Sequence, residues 1–503
     1  MSVASTLFAR GSDKLYLAIL LVCVVVISCL NGPFASLFQA NTDEVDDFVY
    51  RATGIEGDIH LSDFELGDIA EDALPKGAVS HFYEGEWEPP GIPDLDPQRN
   101  KIVGEFINAI MDPKDRTFPR LRCPRPIKER YEILRRRRNF ATRWDTPPRR
   151  WFFALNLYQC SHVLPRLMAS VVEAIRFLRP EDCVLSIVGG RSNDGTTEIL
   201  AKLREEIEAM NVTYYFSTSD VDPLKSGNDR ITELAILRNL VMDPLVRQPE
   251  LYDPDTTVIF LNDVSICTDD ILELVYQKVY QKADMTCAMD WVDQGETFYD
   301  SWICRGMSGD MFIEIPQSGS FEFKHNLFWN DPDTKTRFET KLPFQVYSCW
   351  NGGAVFTAKP LLEHNVTFRA SYKDECYMGE PTLLCKDFWK HGHGRIAVVP
   401  SVNIGYNDDE SRGTKKKFGY ATEIIHRAED EMGLGKYSKI HWQDTPPDLI
   451  KCEPDWQHPT WVRWDEAKEQ LPFDWTHSGY FNAEKATEEG VSFEDGGAAD
   501  PDP

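Results

Sequence analysis

The apolar run Val258-Ile259-Phe260-Leu261 passes straight into Asn262-Asp263-Val264, so a strand delivers a carboxylate at its tip. Hard divalent cations prefer oxygen ligands, and one or two carboxylates together with a ligand's phosphates commonly hold them. Such an ion neutralises charge on a departing diphosphate. Asp263 has the type and position of a metal-binding acid, with Asn262 beside it. It is a single acid, however, and would serve equally as the cap of a helix starting near Thr268. His391 and His393, in the run His391-Gly392-His393-Gly394-Arg395, offer imidazole as a further ligand for an ion such as manganese. Loop histidines are more often simply solvated.

A second group of residues suits the binding of a phosphorylated ligand. In Gly189-Gly190-Arg191-Ser192-Asn193-Asp194-Gly195-Thr196, paired glycines admit a ligand close to the backbone, and a helix N-terminus follows. Asn193 and Asp194 could accept hydrogen bonds from a ribose or a base, although an ordinary Asn-Asp-Gly turn needs the same residues. Asp290 beside Trp291 ends another strand, and Asp300 and Arg305 follow in a loop suited to sugar hydroxyls or phosphate. Trp350-Asn351-Gly352-Gly353 reads as a tight bend beneath a ligand, with Asn351 as a hydroxyl reader. Glu375 and Glu380 could position an acceptor hydroxyl or stabilise positive charge on a sugar. Each of these is also compatible with a packed turn whose polar groups are satisfied internally.

These residues need a scaffold that gathers strand ends. From Trp151 the pattern alternates: strands at 151–158, 184–188, 212–217 and 258–261, and helices at 164–178, 196–210 and 229–241. The alternation predicts an α/β domain with a largely parallel sheet, which binds ligands beyond the carboxyl ends of its strands.

Upstream, residues 15–30 carry no charge, Arg10 and Lys14 precede them, and acids follow from Asp43. This predicts a cytosolic tail at 1–14 and a single signal anchor at 15–36, with everything beyond it lumenal. A cleavable signal peptide is the alternative. Residues 41–100 hold 16 acids against 3 bases, which reads as an extended stem over 37–113. A basic, Pro-rich connector occupies 114–150, and its run Arg135 to Arg138 reads as the wet face of a helix. The catalytic domain is expected at 151–410, an extension at 411–482 and a disordered acidic tail at 483–503. Ten of the 12 cysteines lie beyond the span, as suits pairing in an oxidising lumen. Asn211 and Asn365 begin glycosylation sequons. A formal net charge of −27 argues against nucleic acid as a partner.

Taken in order, SIVGGRSNDGT, LAILRN, FLNDVSICTDDIL, ADMTCAMDW, FYDSWICR, CWNGG and ECYMGEPTLLCKDFW resemble the fungal capsule-associated α-1,3-mannosyltransferases, glycosyltransferase family sixty-nine. The resemblance implies a GT-A type, Rossmann-like α/β fold, GDP-mannose as donor, a manganese-like cofactor and retention of anomeric configuration. It places Asp263 on the metal, the loop Gly189 to Asp194 and Arg238 on the nucleotide, and Glu375 or Glu380 with Asn351 on the acceptor side. It further implies a Golgi or endoplasmic reticulum membrane protein acting on a glycan acceptor, alone or in homo- or hetero-oligomers with other secretory-pathway transferases. Two positions depart from the family pattern: Gly306 after Arg305, and Pro381 after Glu380. A non-catalytic scaffold of the same fold for polysaccharide export is the alternative reading. A glycoside hydrolase is a third, but it would leave Asp263 without a role.

Overall fold

The computed structural model describes residues 96–136, 149–316, 319–432, 439–454 and 458–466. The expected anchor, the cytosolic tail, most of the stem and the acidic tail lie outside these residues. No described helix is long and apolar enough to cross a membrane.

The chain runs through α1 (Pro97–Met111), α2 (Lys128–Arg135), β1 (Arg149–Leu157), α3 (Leu164–Leu178), β2 (Cys183–Gly189), α4 (Thr196–Ala209), β3 (Thr213–Thr218), α5 (Arg230–Arg247) and β4 (Tyr252–Leu261). It continues through α6 (Thr268–Gln281), β5 (Met285–Val292), β6 (Thr297–Phe298), β7 (Arg305–Gly306), α7 (Pro332–Glu339), β8 (Phe344–Ser348) and β9 (Gly353–Thr357). It closes with α8 (Lys359–His364), α9 (Glu380–Lys390), β10 (Ile396–Ile404), α10 (Asp408–Phe418), α11 (Ala421–Met432) and the hairpin β11 (Leu449–Cys452) and β12 (Thr460–Arg463).

The main sheet has the order β3-β2-β1-β4-β9-β5-β10-β8-β7, with β6 paired to β5. Strands β3, β2, β1 and β4 are mutually parallel. β9 enters antiparallel between β4 and β5, and β5 and β10 are again parallel. The mostly parallel α/β sheet expected from the alternation is present.

Its strands are apolar on both faces because helices cover both. Phe153, Leu155, Leu185, Ile187, Ile259 and Leu261 face one core with α3, α4 and α6. Their neighbours Phe152, Ala154, Val184, Val188, Val258 and Phe260 face a second core with α5 and α9. This is the two-residue period of a strand, with both phases apolar.

The stem differs from expectation at its end. Pro97–Met111 is a helix, capped by Asp96, which accepts N–H donors from Gln98 and Arg99. Its Val103, Ile107 and Ile110 enter the first core, so this stretch belongs to the domain. The connector is likewise held down: Arg120 donates to Pro165 O, and Cys123 is bridged to Cys267. Two further disulfides, Cys287–Cys349 and Cys376–Cys452, tie β5 to the segment before β9 and the loop before α9 to the hairpin.

Candidate active site

β1 is flanked by β2 on one side and β4 on the other, so the chain reverses its direction of progress across the sheet between β1 and β4. Helix-capped loops diverge at such a switch and leave a crevice beyond the carboxyl ends. The candidate site is built at this edge.

At the tip of β4, Asn262 N donates to Gly352 O at 3.0 Å, and Trp350 Nε1 donates to Asn262 Oδ1 at 3.0 Å. Asp263 follows, half-buried at the crevice. The bend Trp350-Asn351-Gly352 carries φ values of 59° at Asn351 and 70° at Gly352. A Cβ at Gly352 would come within 3.0 Å of Val264 and 3.2 Å of Ile404, so only glycine lets the bend close on the strand tip.

Two carboxylates meet behind this tip. Asp290 is buried; its Oδ2 accepts the Tyr406 hydroxyl at 2.6 Å and its Oδ1 the Asp300 N–H at 3.3 Å. Asp300 Oδ2 accepts the Asn351 N–H at 2.7 Å. Burial raises the Asp290 carboxyl well above the carboxylate range, and the Asp300 charge adds to this. Burial lifts Asp300 to about 6, against the Asn351 N–H and the Arg238 charge, which favour its ionised form.

On the α5 side, Arg238 Nε donates to Glu380 Oε1 at 2.7 Å, and the guanidinium lies 4.3 Å from the Trp350 ring centre. Tyr377 donates its hydroxyl to Asp229, the cap of α5, at 2.8 Å. The structure therefore gathers Asn262, Asp263, Asp290, Asp300, Arg238, Glu380 and Trp350 from six separate stretches of sequence.

Other expected residues serve different ends. Arg305 is fully buried, its Nε donating to Lys451 O at 2.8 Å and its Nη1 to Trp302 O at 2.7 Å. A guanidinium spent on backbone carbonyls braces the hairpin and has no line to a substrate. Trp291 is buried against Phe418 and donates to Asn403, so it lies in the core and not against a nucleotide. Asn351, read as a hydroxyl reader, is buried; its Nδ2 donates to Ala288 O and its Oδ1 accepts from Cys304. Trp350 is 1% exposed and forms an inner wall, while Gly353 pairs with Leu261 in the sheet.

Glu375 lies in a closed network, accepting from Arg369 at 2.7 Å and Lys386 at 2.6 Å. Burial would raise its carboxyl, but these two cations hold it at about 2. Glu375 and Glu380 are thus each paired with a different cation and form no opposed acid–base couple.

His391 and His393 precede β10, and His393 Nδ1 lies 3.2 Å from Asp284, which precedes β5. β5 and β10 are parallel. Both histidines therefore sit at the amino end of the strands, the opposite edge from Asp263, and cannot share an ion with it. His391 stacks on His364 instead, at 4.4 Å.

In the loop after β2, Asn193 and Gln159 exchange hydrogen bonds, and Asp194 accepts from Ser161 and Thr196. These donors outweigh burial and hold the Asp194 carboxyl below its usual value. Arg191 pairs with Asp222. A Cβ on Gly190 would meet Tyr158 at 2.9 Å, and Gly189 packs on Phe216. The loop is a braced turn at the crevice rim. Asn211 and Asn365 are exposed, each in a left-handed turn at a helix end.

Cys267, Asp269 and Asp270 also lie together. They form no cation site, because Cys267 is in a disulfide and Lys415 occupies Asp270 at 2.7 Å. Tyr406, Tyr377 and Asn156 escape sequence reasoning, since isolated residues in loops and strand ends carry no periodic signal. Asn156 Nδ2 donates to Leu237 O while its buried Oδ1 has no partner among the described residues.

A family model described as cryptococcal mannosyltransferase 1 matches residues 150–387. Alpha-1,3-mannosyltransferase CMT1 of Cryptococcus neoformans is 32% identical over 336 residues, covering 62% of this chain and 72% of that protein. Among solved structures, S. aureus TarS is similar at a TM-score of 0.31 and 13% identity, over 57% of this chain and 66% of that one. A Pyrobaculum calidifontis mannosyltransferase, PcManGT, solved with GDP-Man and Mn2+, is similar at a TM-score of 0.29 and 12% identity, over 55% and 62%. Likeness at these scores carries no functional weight. The sequence match does: the chain belongs to the cryptococcal mannosyltransferase 1 family of glycosyltransferases.

Proposed function

We propose that the chain is a retaining, metal-dependent α-1,3-mannosyltransferase of GT-A type that moves mannose from GDP-mannose to a mannoside in the secretory lumen. The observation that carries this reading is the carboxylate of Asp263 at the tip of β4, beside the switch-point crevice of a chain 32% identical to an α-1,3-mannosyltransferase. The Asp263 carboxylate is an oxygen donor, which suits a hard divalent cation. Asp263 would hold it with the donor's phosphates, and the ion would supply charge neutralisation on the departing diphosphate.

In this reading the acceptor hydroxyl attacks the mannose C1 from the face that GDP leaves. The C1–O bond to the diphosphate breaks, its electron pair stays on the diphosphate oxygen, and that oxygen takes the hydroxyl proton. Arg238 lends positive charge beside the leaving group, while Glu380 holds its guanidinium in place. Asp300, whose carboxyl burial lifts to about 6, faces the sugar hydroxyls in this reading. Three disulfides support an oxidising compartment. An anchor at 15–36 would make the protein type II in the Golgi or endoplasmic reticulum.

The test is release or transfer of mannose by the purified protein from GDP-mannose and other sugar nucleotides, with and without manganese. Metal-dependent turnover of GDP-mannose that vanishes in Asp263→Ala supports the reading. No turnover of any donor, together with no manganese-dependent GDP binding, would replace it with the scaffold.

A further inference from the structure

α10 and α11 meet at Gly419, where φ is 95°, and a cavity of about 550 Å³ opens at their junction. Arg412, Lys416, Arg427, Phe418, Tyr420 and Glu423 line it. Successive helical residues project about 100° apart, so the run Lys415-Lys416-Lys417 fans out. Lys415 turns inward to Asp270, at 2.7 and 2.8 Å. Lys417 donates to Gly295 O and pairs with Glu296, each at 2.9 Å. Arg412 pairs with Asp409. Lys416 and Arg427 are exposed and have no ion-pair partner among the described residues.

Lysines in the last turn of a helix favour its dipole, which would account for some of this charge. It does not account for Arg427, which lies on the next helix. The acid of the group, Glu423, accepts the Tyr420 N–H at 3.2 Å. In a chain of formal net charge −27, cations have been concentrated around two aromatic rings. Rings accept the apolar face of a sugar, and guanidinium and ammonium groups accept oxyanions.

We infer that this cavity binds an oxyanion carried on a sugar ring, either the carboxylate of a uronate or a phosphate ester. α10 begins two residues after Tyr406, which bonds Asp290, and the cavity lies at its far end. That separation is on the order of 15 Å, so an occupant does not fill the candidate active site. The inference rests on these side chains and stands apart from the mannosyltransferase reading.

Equilibrium binding to the purified full chain tests it, using a glucuronate-bearing oligosaccharide, mannose 6-phosphate, inorganic phosphate and neutral mannobiose. The expected result is binding of a charged sugar that weakens several-fold between ~50 and ~300 mM salt. The double variant Lys416→Ala/Arg427→Ala should weaken it about tenfold or more, whereas Lys416→Arg/Arg427→Lys and Asp263→Ala should retain it. Preference between glucuronate and sugar phosphate assigns the source of the oxyanion. Mannobiose binding as tightly as the charged sugars, no binding of any charged sugar, inorganic phosphate binding alone, or an unchanged double variant would each overturn it.

Discussion

Arg238 and Glu380 form an ion pair at 2.7 Å between the middle of α5 and the first residue of α9, with side chains only 12% and 3% exposed. The pair joins two helices on one face of the sheet and sets the guanidinium 4.3 Å from Trp350. Removing one partner leaves the other charge buried and alone. Arg238→Ala is expected to destabilise the protein by about 3–5 kcal/mol, while Arg238→Met/Glu380→Leu should recover much of that. Neither variant should recover transfer. Urea denaturation alongside donor turnover measures both, and full activity in the double variant would remove the pair from the site.

Asp300 makes an opposite trade. Its folded carboxyl titrates at about 6, above the ordinary 3.8, so its stabilising contribution is complete below the unfolded value and is lost as pH rises through about 6. Asp300→Asn keeps an acceptor for Asn351 N and removes the charge. It is expected to raise stability at pH 7 by up to about 3 kcal/mol, with little gain near pH 3.5, and to lower turnover. Denaturation curves at the two pH values decide; equal shifts at both would show that the charge is not the cause.

Glu375 has the reverse sign. Its carboxyl is held at about 2, below the ordinary 4.5, so its contribution is complete above the unfolded value and fades as pH falls through about 2. Glu375→Gln should cost about 3 kcal/mol at pH 7 and progressively less in acid. The difference in melting temperature from the parent chain should hold from pH 7 to about pH 5 and then narrow as pH falls toward about 2.5.

Reduction should weaken the fold strongly, because Cys123–Cys267 closes 144 residues and Cys376–Cys452 closes 76. Loop-closure arguments give the longer bridge about 5 kcal/mol and the shorter about 4.5 kcal/mol. Scanning calorimetry with and without a thiol reductant should show a melting temperature lower by many degrees, and an unchanged one would argue against the bridges.

Asn211 and Asn365 are exposed, so secretion through a eukaryotic host should add two glycans, each removed by the matching Asn→Gln change. Gel mobility before and after glycosidase treatment reads this directly. Unmodified protein would argue against a lumenal domain.

Much of the fold was legible because its signals are local. Strands β1, β2 and β4 contain continuous apolar runs, β3 alternates buried and half-buried residues, and α3 and α4 repeat their apolar residues at helical spacing. β9 carried no such signal: Gly353–Thr357 becomes a strand by pairing with β4 and β5, far away in sequence. In α1 the cap Asp96 and the spacing of Val103, Ile107 and Ile110 were readable, but the acidic composition of the preceding stretch obscured them. For the site, residue type identified the strand-tip and loop carboxylates that the fold assembles. It misjudged Arg305, Trp291 and Asn351, whose polar atoms are satisfied by segments that only folding brings near. The two histidines failed on direction, since sequence did not reveal that β10 runs parallel to β5 and leaves them at the far edge.

The hairpin β11–β12 reaches back through Cys452 to Cys376, through Lys451 O to Arg305 and through Glu453 O to Trp302. The loops it holds border Glu380 and Asp300, yet they are synthesised long before it. A nascent chain can therefore assemble the sheet while still on the ribosome, but those loops gain their final support only after residues 449–463 have emerged. Chains truncated before that point would lack the bridge and the two backbone acceptors that brace the loops beside Glu380 and Asp300.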